Sequence, residues 1–130
     1  MELLIAFGTD DGRNLQRDHV GKSKYFHVYR FFDDKEEFVE QRKNVKYKGD
    51  ESMIHGDPGK AQATSTALKG LDGVVGRRFG PNIVRLLKKL VCIVARAETI
   101  DDAIQLIHAN IDKIIKEKEK GENRKHLVLS

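Results

Sequence analysis

Apolar residues run from Leu3 to Phe7 and stop at Gly8-Thr9-Asp10-Asp11-Gly12. A short continuous apolar run closed by turn residues reads as a buried strand. Residues 13–24 are polar and without period, as in a surface loop, and they lead into Tyr25 to Phe32, whose β-branched and aromatic content predicts a second strand. Asp33-Asp34-Lys35 is turn-like, and Glu37 to Val45 alternates weakly around Phe38, which predicts an antiparallel third strand. Residues 46–57 form a second polar loop.

Helical signals follow. Asp57-Pro58 places a capping side chain before a proline suited to the first helical position, so a helix is expected from there to about Lys69, ended by Gly70. Its Ala61, Ala63 and Ala67 let it lie close to a sheet. Gly73 to Gly76 reads as a short buried strand entering the turn Arg77-Arg78-Phe79-Gly80-Pro81-Asn82, and Ile83, Leu86 and Leu87 mark a second helix. Leu90 to Ala97 is apolar enough for a strand buried on both faces. Thr99 caps a long helix whose Ile100, Ala103, Ile104, Ile107, Ile111, Ile114 and Ile115 keep one apolar face. From Lys116 the chain turns charged, Gly121 ends the helix, and His126 to Leu129 is either a frayed tail or a late strand. The order predicts an α/β fold. Three antiparallel strands followed by two parallel ones make a five-stranded mixed sheet flanked by three helices. Residues 1–115 form one domain, with 116–130 a charged helix end and tail.

Composition narrows the function classes. The 130 residues include 24 Lys and Arg, 20 Asp and Glu, and a single cysteine, Cys92. One cysteine excludes an internal disulfide, a four-cysteine zinc site and a cluster held by cysteines of this chain. No stretch approaches the ~20 apolar residues of a membrane span, and the start turns acidic too soon for a signal peptide, so a cytoplasmic location is expected. The basic excess is uneven: residues 58–96 carry eight basic side chains against Asp72 alone.

That basic stretch contains a candidate anion site. Arg77, Arg78, Gly80 and Asn82 stand between a strand end and a helix start, where guanidinium groups, free N–H groups and a glycine permitting close approach suit an anion. Neither nucleotide-binding glycine fingerprint is present, so no nucleotide is expected. Asp10 and Asp11 raise a two-metal nuclease, but the later strand ends lack the acids that would complete a carboxylate cluster. Asp101 and Asp102 are explained by the helix dipole. Cys92 in an apolar strand reads as an inert buried thiol, and His27 and His108 as structural.

The segments LLIAFGTDDG, HVGKSKYFHVY, GVVGRRFGPNIVRLL and TIDDAIQLI together resemble the dinitrogenase iron-molybdenum cofactor biosynthesis family of NifX-like proteins, over about residues 1 to 112. Val20 departs from the phenylalanine common after the histidine, and Arg77 and Arg78 from residues that are often glycine. The resemblance implies a ribonuclease H-like three-layer fold and a non-catalytic binding or carrier protein. Its guest would be an anionic iron–sulfur cluster or an iron-molybdenum cofactor precursor. It also implies partners within cofactor biosynthesis. On that reading His19 is a metal ligand, with His55 second, and Gly21, Lys22, Arg77, Arg78, Gly80 and Asn82 complete the binding face. The competing reading is a nucleic-acid-binding module that uses the basic stretch and exposed aromatics of Tyr25 to Phe32.

Overall fold

The structure, a computed structural model, describes residues 2–44 and 66–130. Among the described residues six strands form one sheet: β1 (Leu3–Thr9), β2 (Tyr25–Phe32), β3 (Lys35–Lys43), β4 (Gly73–Gly76), β5 (Val91–Ala95) and β6 (Leu127–Leu129), in the spatial order β3-β2-β1-β4-β5-β6. The α-helices that lie wholly among the described residues are α1 (Ile83–Leu86), α2 (Ile100–Ala109) and α3 (Ile111–Glu119). β1, β2 and β3 pair antiparallel, and β1, β4, β5 and β6 run parallel. The expected antiparallel-then-parallel sheet is present with six strands rather than five. The sixth is the chain's end, where Ile93 aligns with Leu127 and Ala95 with Leu129.

Side-chain alternation along the central strands makes two cores, one on each face. Leu3, Ile5 and Phe7 of β1 join Val75 and Ile93 under Ile104, Ile107 and Ile114 of α2 and α3. Ala6, Val74 and Cys92 point the other way, against Val20, Phe26, Leu68, Leu86 and Leu90. The result is three layers, with the sheet in the middle.

Several boundaries differ from the sequence reading. The β2–β3 hairpin turns on Asp33 and Asp34 alone, both at positive φ (47° and 61°), the requirement of a tight primed turn. β3 therefore starts at Lys35. The long terminal helix breaks at Asn110, whose backbone leaves helical geometry (φ −131°, ψ 23°) while its side-chain amide donates to Leu106 O at 2.8 Å. α1 is one turn only, because bonds of i to i+3 type, Arg85 N to Asn82 O and Lys89 N to Leu86 O, tighten the chain on both sides. The helix expected over 57–69 lies almost wholly outside the described residues. Thr66 and Ala67 are helical, and Gly70 at φ +83° supplies the left-handed terminator.

Candidate functional site

The parallel strands β1, β4 and β5 all point their carboxyl ends at one side of the sheet, and the residues leaving them are Asp10, Arg77 and Arg96. Ligands of open α/β sheets collect at this edge. The β1–β2 loop folds back onto it. Val20, 2% exposed, is the plug that seats the loop. It fits because two strand glycines leave room: a Cβ on Gly8 would come within 2.7 Å of Val20 Cγ2, and one on Gly76 within 2.8 Å of Val20 Cβ. Asn44 fastens the loop from behind, donating through Nδ2 to Gly21 O (2.9 Å) and Ser23 O (2.8 Å).

Seating Val20 brings His19 to the turn after β4. Val20 N donates to Arg78 O at 2.9 Å, and His19 and Arg78 form an isolated parallel bridge. The half-buried imidazole rests against Gly80, where a Cβ would stand 2.8 Å from Nδ1. Two of the segments singled out in the sequence thus meet through His19, Arg78 and Gly80. The loop is also braced electrostatically. His19 N donates to Asp18 Oδ1 at 2.7 Å, and Lys22 Nζ lies 3.0 Å from Asp18 Oδ2. The His19 amide first and Lys22 second hold the Asp18 carboxyl below the usual carboxylate range. Lys22 is therefore already paired at the surface.

Beside this contact lies a polar groove of about 350 Å³ between Asp10, Asp11, Arg17, Arg77 and Glu98, and an adjoining one of about 420 Å³ lined by Arg17, Arg77, Arg78, Arg96 and Glu98. Arg77 and Arg78 were readable from their place after a strand. Arg17 and Arg96 were not: Arg17 is carried by the folded-back loop, and Arg96 falls inside the longer strand expected over 90–97. Because β5 ends at Ala95, Arg96 is the first residue past the strand, the position Arg77 holds after β4.

The acidic turn is structural. Asp11 Oδ1 accepts from Arg13 N and Asn14 N, both at 2.8 Å, and these amide bonds, with the Asn14 side chain, push its carboxyl far below the ordinary range. Asp10 accepts from Gln16 Nε2 through both oxygens and from Lys24 N, all at 2.9 Å. Both acids close the β1–β2 loop. Among the described residues no three His, Cys, Asp or Glu side chains gather as a metal site.

Other expected site residues fare differently. His55 lies outside the described residues. Asn82 precedes α1 with helical backbone and makes no side-chain cap bond, and a helix of four residues concentrates little dipole, so the helix-start argument for anion binding is replaced by the arginines. Gly21 contributes a carbonyl to Asn44. The aromatics expected to be exposed in β2 are not a stacking platform: Phe26 and Phe31 are buried and Tyr29 packs edge-on against Phe7. Among the described residues the exposed ring is Phe38 on β3, 49% accessible. Cys92 is buried and its thiol is pushed up to about 12 by desolvation, which removes it as a ligand. No described helix is long and apolar enough to cross a membrane.

Comparison with known proteins adds the following. The family model described as dinitrogenase iron-molybdenum cofactor matches residues 1–110. A solved structure from Methanocaldococcus jannaschii, provisionally described as a dinitrogenase, superposes with a TM-score of 0.57 at 15% identity, covering 85% of this chain and 91% of that one. At that identity the likeness concerns the fold. No curated protein matches the chain.

Proposed function

The chain belongs to the dinitrogenase iron-molybdenum cofactor family, and from that footing we propose that it is a non-catalytic carrier of an anionic iron–sulfur cofactor or its precursor. Membership ties the chain to the biosynthesis or binding of that cofactor. The finer reading rests on one observation: the bridge that holds His19 against Arg78 and Gly80, beside an arginine-lined groove. An imidazole held at a loop surface is a suitable terminal ligand for an exposed metal of a cluster. The neighbouring guanidinium groups offset the charge of sulfide and of any carboxylate the guest bears.

His19 is the proposed ligand, and Arg77 and Arg78 the charge partners, with Gly21, Lys22, Gly80 and Asn82 shaping the loops around them. His55, a second proposed ligand, lies in the segment between β3 and β4. With the thiol of Cys92 out of reach, the guest is held by few bonds, which suits delivery to a partner protein of the same pathway. The ribonuclease H-like reading of the fold is supported by the strand order β3-β2-β1-β4-β5, extended here by β6.

The test is anaerobic addition of an isolated iron–sulfur cofactor precursor to the apoprotein, followed by gel filtration, iron analysis and visible absorbance. Retention of the cluster by the wild type and its loss in His19→Ala are expected. Absence of retained iron, or equal retention by His19→Ala, overturns the reading.

A further inference from the structure

Four arginines face the adjoining grooves described above, and among the described residues none of them is ion-paired. Among the described residues the side chains of Arg17, Arg77, Arg78 and Arg96 make no hydrogen bond or ion pair, and Glu98, likewise unpaired there, is the acid that lines the groove with all four. Among the described residues the side chains of Arg13 and Arg85 are likewise without a bond or ion pair but line neither groove, so it is the convergence of the four that is distinctive. Arg30 is paired with Glu2 and Glu37, and Arg42 with Glu40 and the carbonyls of Ala67 and Lys69. Four guanidinium groups line the groove against the single carboxylate of Glu98, and Asp10 and Asp11 of the adjoining groove are already bonded within their loop, so the excess positive charge favours an anionic ligand.

The backbones that carry them are rigid. Arg96 N donates to Leu129 O at 2.9 Å, which ties it to β6, and Arg78 O accepts from Val20 N at the same distance. Arg77 follows Gly76, which is in register with Val94 of β5. Arg17 follows a loop stretch pinned at two points, Leu15 N to Glu98 O (2.8 Å) and Gln16 N to Gly8 O (3.0 Å), with Leu15 buried. The backbone is thus in place before binding, and the ordering cost is confined to the arginine side chains.

We infer that this groove is a binding site for a small polyanionic oxyacid, a molecule with two or more carboxylate or phosphate groups, taken up by Arg17, Arg77, Arg78 and Arg96 at the carboxyl ends of β4 and β5. Planar guanidinium forks match carboxylate and phosphate oxygens in pairs, and four of them specify more than one anionic group. The volume of about 420 Å³ fits a small molecule. Glu98 sits among the arginines as the element that rejects singly charged guests, since it repels an anion that too few guanidiniums grip. The site shares Arg77 and Arg78 with the proposed cluster face, adds Arg17 and Arg96, and does not use His19.

The test is isothermal titration of the apoprotein with pyrophosphate and, separately, with a small tricarboxylate, with sodium chloride as the simple-ion control. Saturable binding of one equivalent of at least one polyanion is expected. Preference for pyrophosphate identifies a phosphate ligand, and preference for the tricarboxylate a carboxylic one. Arg96→Gln and Arg17→Gln each weaken binding about tenfold, as loss of one charge-assisted pair does, while Glu98→Gln tightens it and relaxes selectivity. Arg85→Gln, the same charge loss at an exposed arginine that lines neither groove, leaves polyanion affinity unchanged. Absence of saturable binding by either probe, or equal affinity in Arg96→Gln and wild type with both folded by circular dichroism, overturns the inference.

Discussion

The His19 imidazole occupies the space a side chain at position 80 would fill: a Cβ built on Gly80 falls 2.8 Å from His19 Nδ1 and 3.4 Å from Cε1. A glycine at the turn after β4 is therefore a condition for the ring's placement, although the two residues are far apart in sequence. Gly80→Ala should displace the ring while leaving the sheet intact. The stability cost should stay near the low end of ~1–3 kcal/mol for overpacking, because the half-buried ring can swing outward. Cluster retention should fall toward that of His19→Ala while the far-ultraviolet circular dichroism is unchanged. Retention at the wild-type level would show that the ring's position does not matter.

Gly76 offers the opposite case. A Cβ there meets Val20 Cβ at 2.8 Å and Cγ2 at 2.9 Å, and both residues are buried, so neither side can give way. Gly76→Ala should cost about 2–3 kcal/mol by overpacking, read as a lower midpoint in urea at constant slope. The cost of Gly76→Ala should be smaller in a Val20→Gly background than in the wild type, because the contact is pairwise and only glycine removes the Val20 Cβ. An equal cost of Gly76→Ala in both backgrounds would remove Val20 as the cause.

These contacts also explain how far the sequence could be read. The apolar runs of β1, β2 and β4 announced themselves because they bury both faces, or one face fully. β3 is an exposed edge strand, and its alternation around Phe38 is weak for that reason. The break at Asn110 was hidden since Ile107, Ile111 and Ile114 continue one apolar face across it. Three residues of β6 carry too little pattern to outvote a chain terminus, and pairing with β5 is what makes them a strand. At the site, Arg77 and Arg78 followed from their position after a strand. Arg17 needed Val20 seated on two glycines before it could be placed, and that is tertiary information. Asp10 and Asp11, conspicuous as a pair, proved to be loop braces whose partners are backbone amides that sequence does not display.

Glu117 ties the chain's end to the body. Its side chain is 7% exposed, and it accepts from Lys125 N at 2.9 Å and lies 3.0 Å from Lys120 Nζ. Burial opposes its charge, but the Lys125 amide and then the Lys120 ammonium outweigh it, so the carboxyl is held below its ordinary 4.5. A depressed folded-state value means the stabilisation is complete above 4.5 and is lost as pH falls through the lower folded value. Glu117→Gln should mimic the acid form at neutral pH, costing about 1–2 kcal/mol by removing a charge-assisted acceptor. Hydrogen exchange at Leu127 to Leu129 should quicken in that variant and, in the wild type, only at acid pH. Because Leu129 O holds Arg96 N, polyanion affinity should weaken along with it. Unchanged exchange in β6 would show that Glu117 does not fasten the strand.

Cys92 gives a direct readout of the sheet's integrity. It lies in β5, aligned with Val74 of β4, and is fully buried. Desolvation pushes its thiol up to about 12, with Arg124 a smaller opposing influence. At pH 8 the thiolate, the form that attacks disulfide reagents, is therefore scarce as well as inaccessible. A chromogenic disulfide reagent should leave the native protein unlabelled over minutes and take up one equivalent per chain in denaturant, the sequence having one cysteine. The same burial bears on the cofactor: Cys92→Ala should lower stability by about 1 kcal/mol through a small cavity while cluster retention stays at the wild-type level. Loss of the cluster in Cys92→Ala, with the variant still folded, would move the ligand set from the His19 loop to the interior of the sheet and overturn the carrier geometry proposed above.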